Sequence, residues 1–149
     1  MTVGLGYGPY VADAVMGLEE STEPPLTVLV VDDAPDMRFL ARAVLESSGL
    51  HVVAEAADGP EALEHVRDLD PPPVPTVVLL DNQMPGPSGL EVAADILEHN
   101  PGQLIVLFSA YLSDEVIEQA LQMGVAACVS KTDVNKLAAI ITDLVASRS

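Results

Sequence analysis

Thr27-Val28-Leu29-Val30-Val31-Asp32-Asp33 is an apolar run of strand length that stops on two adjacent carboxylates. Val28 through Val31 are all branched aliphatic residues, with no polar alternation. A run of this kind suits a strand covered on both faces, as strands are in parallel sheets. Four more short apolar runs lie downstream: Val52–Ala56, Val77–Leu80, Leu104–Phe108 and Val125–Val129. The second run begins His51-Val52-Val53-Ala54-Glu55, a more mixed stretch, and so belongs at an edge of the sheet.

Segments of helical period separate the runs. Met37, Leu40, Ala41, Val44 and Leu45 share one face of the first; Ala62, Leu63, Val66 and Leu69 share a face of the second. Leu90, Ala93, Ala94 and Leu97 mark the third, and Val116, Ile117, Ala120 and Leu121 the fourth. Val134, Leu137, Ala138, Ile141, Leu144 and Val145 mark the last. Boundary residues agree with these limits. Pro35 suits a first helical turn after Asp33. Ser88 and Ser113 are expected N-caps, with Glu91 completing a capping box. Gly49 and Gly124 stand where helices turn off. Asp70 to Pro75, with four prolines, is a stiff connector. Five strands alternating with five helices predict an α/β protein, doubly wound about a mainly parallel sheet.

The chain has 149 residues, enough for one domain with one core, and 49% are of hydrophobic types while only 3% are aromatic, so the core is expected to be aliphatic. A formal net charge of −17 excludes the basic patches that bind nucleic acid or anionic membranes. The single Cys128 excludes an internal disulfide and a thiolate metal cluster and reads as a core or near-core thiol. His51, His65 and His99 lack ligand spacing and read as surface residues. No apolar run is long enough to span a membrane and no signal peptide is evident, which leads to the expectation of a cytoplasmic protein. Residues 1–25, with alternating Gly4, Gly6 and Gly8 and a closing Glu23-Pro24-Pro25, read as an N-terminal extension holding a short helix over Val11–Leu18. Residues 26–149 read as the domain.

The chemistry lies at the carboxyl ends of the strands. In a parallel sheet these ends all line one edge, where open α/β proteins bind ligands. Asp32-Asp33, Asp81, Ser109 and Ser130-Lys131 therefore converge. Three carboxylates in one place repel each other, and a hard divalent cation such as Mg2+ is the natural compensation, with Asp32, Asp33, Asp81 and a backbone carbonyl just after Asp81 as its protein ligands. Lys131 adds one ammonium. The combination suits phosphoryl transfer, which depends on positioning and charge neutralisation, with a carboxylate as nucleophile. Taken singly, each of these residues has an ordinary structural explanation: Asp as a helix cap, Ser as a loop hydroxyl, Lys as a solvated surface group.

Together, Leu29-Val30-Val31-Asp32-Asp33, Asp81-Asn82-Gln83-Met84-Pro85-Gly86-Pro87-Ser88-Gly89, Ser109-Ala110 and Lys131 resemble response-regulator receiver domains of two-component signalling. The resemblance spans residues 26–147 and implies a flavodoxin-like fold with strand order 2-1-3-4-5. It further implies that Asp81 is the phosphoacceptor. Asp32, Asp33 and the Gln83 backbone carbonyl would hold Mg2+ with it, and Ser109 and Lys131 would bind phosphoryl oxygens. The implied donor is a sensor histidine kinase or a phosphotransfer protein; the implied output is contact with a protein target, with a homodimer as one option. Because no output domain succeeds the last helix, a stand-alone receiver is expected, catalysing only its own phosphorylation and dephosphorylation. Two residues depart from the family pattern. Thr132 stands after Lys131 where proline is common, and Cys128 stands where an aromatic residue often takes part in a rotamer switch. Tyr111 is then a candidate reporter of phosphorylation. Two other readings remain at this point: a Mg2+-dependent phosphohydrolase, and an interaction domain that ignores phosphorylation.

Overall fold

The computed structural model describes residues 26–68 and 75–148. The helix expected over Val11–Leu18 and most of the proline connector lie outside the described residues. Five parallel strands, β1 (Thr27–Val31), β2 (His51–Ala56), β3 (Val77–Leu80), β4 (Leu104–Ser109) and β5 (Ala127–Ser130), form one sheet in the order β2-β1-β3-β4-β5. The helices are α1 (Pro35–Ser47), α2 (Gly59–Asp68), α3 (Gly89–His99), α4 (Asp114–Met123) and α5 (Leu137–Arg148), the last preceded by a 3-10 helix over Lys131–Lys136. This is the flavodoxin-like arrangement, and it results from right-handed crossovers that start on β1 and reverse direction once.

Continuous apolar strands are explained by two cores. Successive side chains of a strand point to opposite faces. Val28, Val30, Val77, Leu79, Val106 and Phe108 therefore join one cluster, with Ala41 and Leu45 of α1 and Leu137 and Ile141 of α5. Leu29, Val31, Val78, Leu80, Ile105 and Leu107 join the other, with Ala62 of α2, Val92 and Ile96 of α3, and Ala120 of α4. β2 lies at an edge, as its mixed sequence implied, with His51 and Val53 exposed.

Local signals set most boundaries. Ser88 and Glu91 form the full capping box on α3, a device that contributes about 1 kcal/mol. Ser113 caps α4 through the Val116 N–H, and Gly124, at φ 111°, closes it in the left-handed conformation. Pro35 starts α1, but its N-cap is Ala34, which offers no side-chain bond. The fifth strand begins at Ala127 instead of Val125. The Val125 N–H is still engaged by the Ala120 carbonyl at 3.0 Å, so the chain is completing the helix end there. β4 runs one residue beyond expectation and includes Ser109. Val134 falls in the 3-10 turn, so α5 starts at Leu137.

Most of the expected helix-face residues are buried or half-buried, and single positions on three helices depart. Leu40 on α1, Ala94 on α3 and Leu121 on α4 are exposed, whereas Val92 and Ile96 are buried. Both helices α3 and α4 carry apolar residues around more than one stripe, and the side that meets the sheet is set by the crossover. His51 and His99 are exposed and His65 half-buried; Cys128 packs partly buried against the second core, where burial pushes its thiol pKa up.

Candidate functional site at the carboxyl edge of the sheet

Asp32 and Asp81 directly succeed β1 and β3, and each extends the sheet's hydrogen bonding by one residue. Asp32 N–H donates to the Ala56 carbonyl at 3.0 Å, and Asp81 N–H to the Val31 carbonyl at 2.9 Å. Both side chains are thereby held at the edge, 3% exposed despite their charge. Each then closes a small turn with one oxygen. Asp32 Oδ1 accepts from Ala34 N–H at 2.9 Å, and Asp81 Oδ1 from Gln83 N–H at 3.0 Å. Turns of this type are what Asp provides after a strand.

The second oxygens are left facing each other. Lys131 Nζ lies 2.7 Å from Asp32 Oδ2 and 3.3 Å from Asp81 Oδ2. Asp33 is exposed, but its carboxylate joins those of Asp32 and Asp81 with ligand oxygens all within 4.8 Å of one another. Of the sequence-predicted residues, Asp32, Asp33, Asp81 and Lys131 thus come together, three carboxylates beside one ammonium. The electrostatics reflect this crowding. Burial raises the Asp81 pKa above the ordinary carboxylate value, assisted by the charge of Asp32 and opposed by the Gln83 N–H and by Lys131. Burial works against the Lys131 ammonium, but its bond to Asp32 and the charges of both carboxylates raise its pKa overall.

Ser109 ends β4, paired with Ser130 across the sheet. It is fully buried and its hydroxyl has no hydrogen-bond partner among the described residues. A buried hydroxyl without a partner costs about 1–3 kcal/mol, so its retention at this edge is informative. The neighbouring loop is held without proline. Ser130 Oγ accepts from Thr132 N–H at 3.2 Å and lies 2.9 Å from Thr132 Oγ1, which caps the 3-10 helix begun by Lys131. Gln83 is exposed. Tyr111 is 67% exposed and lies outside the cluster.

Three further residues support the site. Arg38 donates to the Asp32 backbone carbonyl at 2.7 Å and to Glu55 Oε1 at 3.1 Å, tying α1 and β2 to the first carboxylate. Nothing local marks an arginine one turn into a helix for that task. Asn82 Oδ1 accepts from Leu90 N–H at 3.0 Å, and its carbonyl from Gly89 N–H at 3.1 Å. Gly89 must lack a side chain, since a Cβ there would stand 2.5 Å from the Asp81 carbonyl oxygen. The Asn after Asp81 and the Gly after the Ser88 cap are the readable signals for these two.

A family model described as the response regulator receiver domain matches residues 28–142. The chain is 37% identical over 101 residues to the protein-glutamate methylesterase/protein-glutamine glutaminase 3 of Hahella chejuensis, covering 66% of this chain and 28% of that protein. It is 31% identical over 97 residues to the chemotaxis protein CheY of Thermotoga maritima, covering 65% of this chain and 78% of that one. Among solved structures, the signal receiver domain of NarL from Mycobacterium tuberculosis superposes with a TM-score of 0.70 at 33% identity, covering 82% of this chain and 98% of that chain. The match to the methylesterase reaches only part of that longer protein. The chain belongs to the response regulator receiver domain family.

Proposed function

We propose that this receiver, formed by residues 26–149 with residues 1–25 as an extension, is the phosphoacceptor module of a two-component phosphorelay, modified on Asp81. The observation that carries the reading is the buried Asp81 carboxylate, bridged to Asp32 by Lys131, with the buried Ser109, its hydroxyl unpartnered among the described residues, ending the adjoining strand β4. Receiver domains are generally signalling modules without turnover of external substrates, and this one is read the same way. An Asp81 oxygen attacks the phosphorus of a donor, the phosphohistidine of a sensor kinase or of a phosphotransfer protein. The P–N bond breaks and its electron pair leaves with the imidazole. Lys131 pairs with one oxygen of the resulting acyl phosphate, and Ser109 donates its free hydroxyl to another.

The donor set fits Mg2+: hard carboxylate oxygens, two of them buried, within mutual reach and short of positive charge. Asp32, Asp33, Asp81 and the Gln83 backbone carbonyl would hold it. When bound, Mg2+ neutralises the oxygens of the transferring group. Asp32, already oriented by Ala34 and Arg38, keeps its carboxylate at the site throughout. Phosphorylation would redistribute conformers of the segment from Ser109 to Gln122, which a protein target then reads. The acidic chain favours protein partners over nucleic acid or membrane, and among the described residues no helix is long and apolar enough to cross a membrane. A cytoplasmic location is part of the same reading.

Intact mass after incubation with acetyl phosphate tests it, with and without Mg2+, beside Asp81→Asn. The expected result is one added phosphoryl group that requires both Mg2+ and Asp81. Equal addition to Asp81→Asn, or none to the folded protein with either acetyl phosphate or a panel of kinases, would overturn the assignment.

A further inference from the structure

α3 and α4 lie on the same face of the sheet, their buried residues Val92, Ala93, Ile96 and Ala120 sharing one core. Between their outer sides runs a groove of about 530 Å³, lined by Leu90, Glu91, Ala94, Gln119, Gln122 and Met123. A second depression, of about 610 Å³, continues it past Glu91 and Ala94 to Asp95 and the Gly86-Pro87 turn. Leu90, Ala94, Met123 and the methylenes of the glutamines make the floor apolar.

The rim is acidic. α3 carries Glu91, Asp95 and Glu98, and α4 carries Asp114, Glu115 and Glu118; neither helix has a Lys or Arg. Helical spacing sets Glu98 one turn beyond Ala94 and Glu115 one turn before Gln119, and Gln122 Nε2 donates to Glu118 Oε2 at 3.4 Å. None of the six carboxylates has an ion-pair partner among the described residues. The arginine ion pairs lie elsewhere: Arg42 with Glu46, and Arg38 and Arg42 with Glu55. The scarce cations are thus placed away from α3 and α4.

An apolar floor inside an unpaired acidic rim is complementary to an apolar row flanked by cations. We propose that the α3–α4 groove docks a basic amphipathic helix of a partner protein, with apolar side chains one turn apart seated over Leu90, Ala94 and Met123 and Lys or Arg facing the rim. The other occupants are electrostatically mismatched. A second copy of this face would set like charge against like charge. Residues 1–25 contain Asp13, Glu19, Glu20 and Glu23 and no Lys or Arg. Nucleic acid and anionic lipid are repelled by the same rim. The docking does not rest on phosphorylation of Asp81 and is measured on the unmodified protein.

The probe is a fluorescein-labelled amphipathic peptide of about 15 residues, long enough to form a helix, with Leu on one stripe and Lys elsewhere. A Glu-for-Lys version serves as control. Anisotropy is expected to saturate with the Lys peptide only, and amide shifts in the wild-type protein are expected to concentrate on α3 and α4. Ala94→Arg and Gln122→Arg alter exposed positions, so the fold is expected to survive. Each is expected to weaken binding at least about tenfold, while Asp143→Arg on the exposed side of α5 changes it less than about twofold. Equal weakening by Asp143→Arg, binding of the Glu peptide, or amide shifts centred elsewhere would overturn the proposal. So would a concentration-dependent dimer that sedimentation shows to be lost in Ala94→Arg, which would assign the groove to a second copy.

Discussion

At the carboxyl end of the sheet, Asp32, Asp81 and Lys131 are packed together as buried charges; at the amino end, Thr27, Thr76 and Gln103 fill comparable positions with neutral groups. The amino end is largely closed upon itself. Thr27 N–H and Thr76 N–H each donate to the other's hydroxyl oxygen, at 3.3 and 2.9 Å. Gln103 Nε2 donates to the carbonyls of Pro75, Thr76 and Leu104, while its Oε1 is buried with no partner among the described residues. The carboxyl end is left open: three carboxylates stand about one ammonium that pairs with two of them, and the Ser109 hydroxyl has no partner among the described residues. Both ends terminate the same strands, so topology does not separate them. What separates them is charge left uncompensated, which protein alone does not satisfy and a cation with a phosphoryl group would.

Four measurements put this contrast at risk. The largest effect is expected from Lys131→Met. Removing the site's ammonium leaves the Asp32 and Asp81 carboxylates buried and unpaired, a loss of about 3 kcal/mol in urea unfolding without divalent cations. Added Mg2+ is expected to recover part of that loss; a loss indifferent to Mg2+ would mean the carboxylates do not act as one site. Gln103→Met, at the closed end, is expected to cost about 2 kcal/mol because carbonyls lose their donor. Its cost should be the same with and without Mg2+, and a Mg2+ dependence as large as that of Lys131→Met would erase the distinction between the ends.

Ser109→Ala separates stability from chemistry. Deleting an unpartnered buried hydroxyl is expected to stabilise the unmodified protein by about 1 kcal/mol, while phosphorylation by acetyl phosphate slows. A destabilised variant would show that the hydroxyl is satisfied in solution. The smallest effect concerns an ion pair nearer solvent. The hydrogen bond from Arg42, with help from Arg38 and against partial burial, holds the Glu55 carboxyl below its ordinary 4.5. A depressed carboxylate contributes stability above its unfolded pKa and loses it as pH falls through the folded value. Arg42→Ala is therefore expected to cost about 0.5 kcal/mol at neutral pH, with the difference from wild type shrinking in urea titrations below the Glu55 reference value. A difference that grows on acidification would contradict that sign.

Much of the site was legible because a parallel sheet converts sequence order into spatial order. Once Val28–Val31, Val77–Leu80 and Leu104–Phe108 are strands of one parallel sheet, Asp32, Asp81 and Ser109 share an edge whatever the details of packing. Lys131 joins them by the same logic, even though β5 begins two residues later than its apolar run. The supporting residues were less legible. Arg38 reaches the Asp32 carbonyl only because α1 packs beside β2, and Gly89 is required only because α3 passes close over the Asp81 turn.

The alternation of strand and helix, the caps at Ser88, Ser113 and Gly124, and the set of chemical groups at the sheet edge are all written in the chain. They depend on side-chain alternation, turn chemistry and chain direction, which are local properties. Packing settled the margins of the helix faces, leaving Leu40, Ala94 and Leu121 outside and drawing Val92 and Ile96 in. Packing also buried Asp32 and Asp81 beside an exposed Asp33, and set Lys131 as the bridge between the buried pair. Those outcomes depend on distances between elements far apart in the chain, and burial and electrostatic coupling arise only when those elements come together.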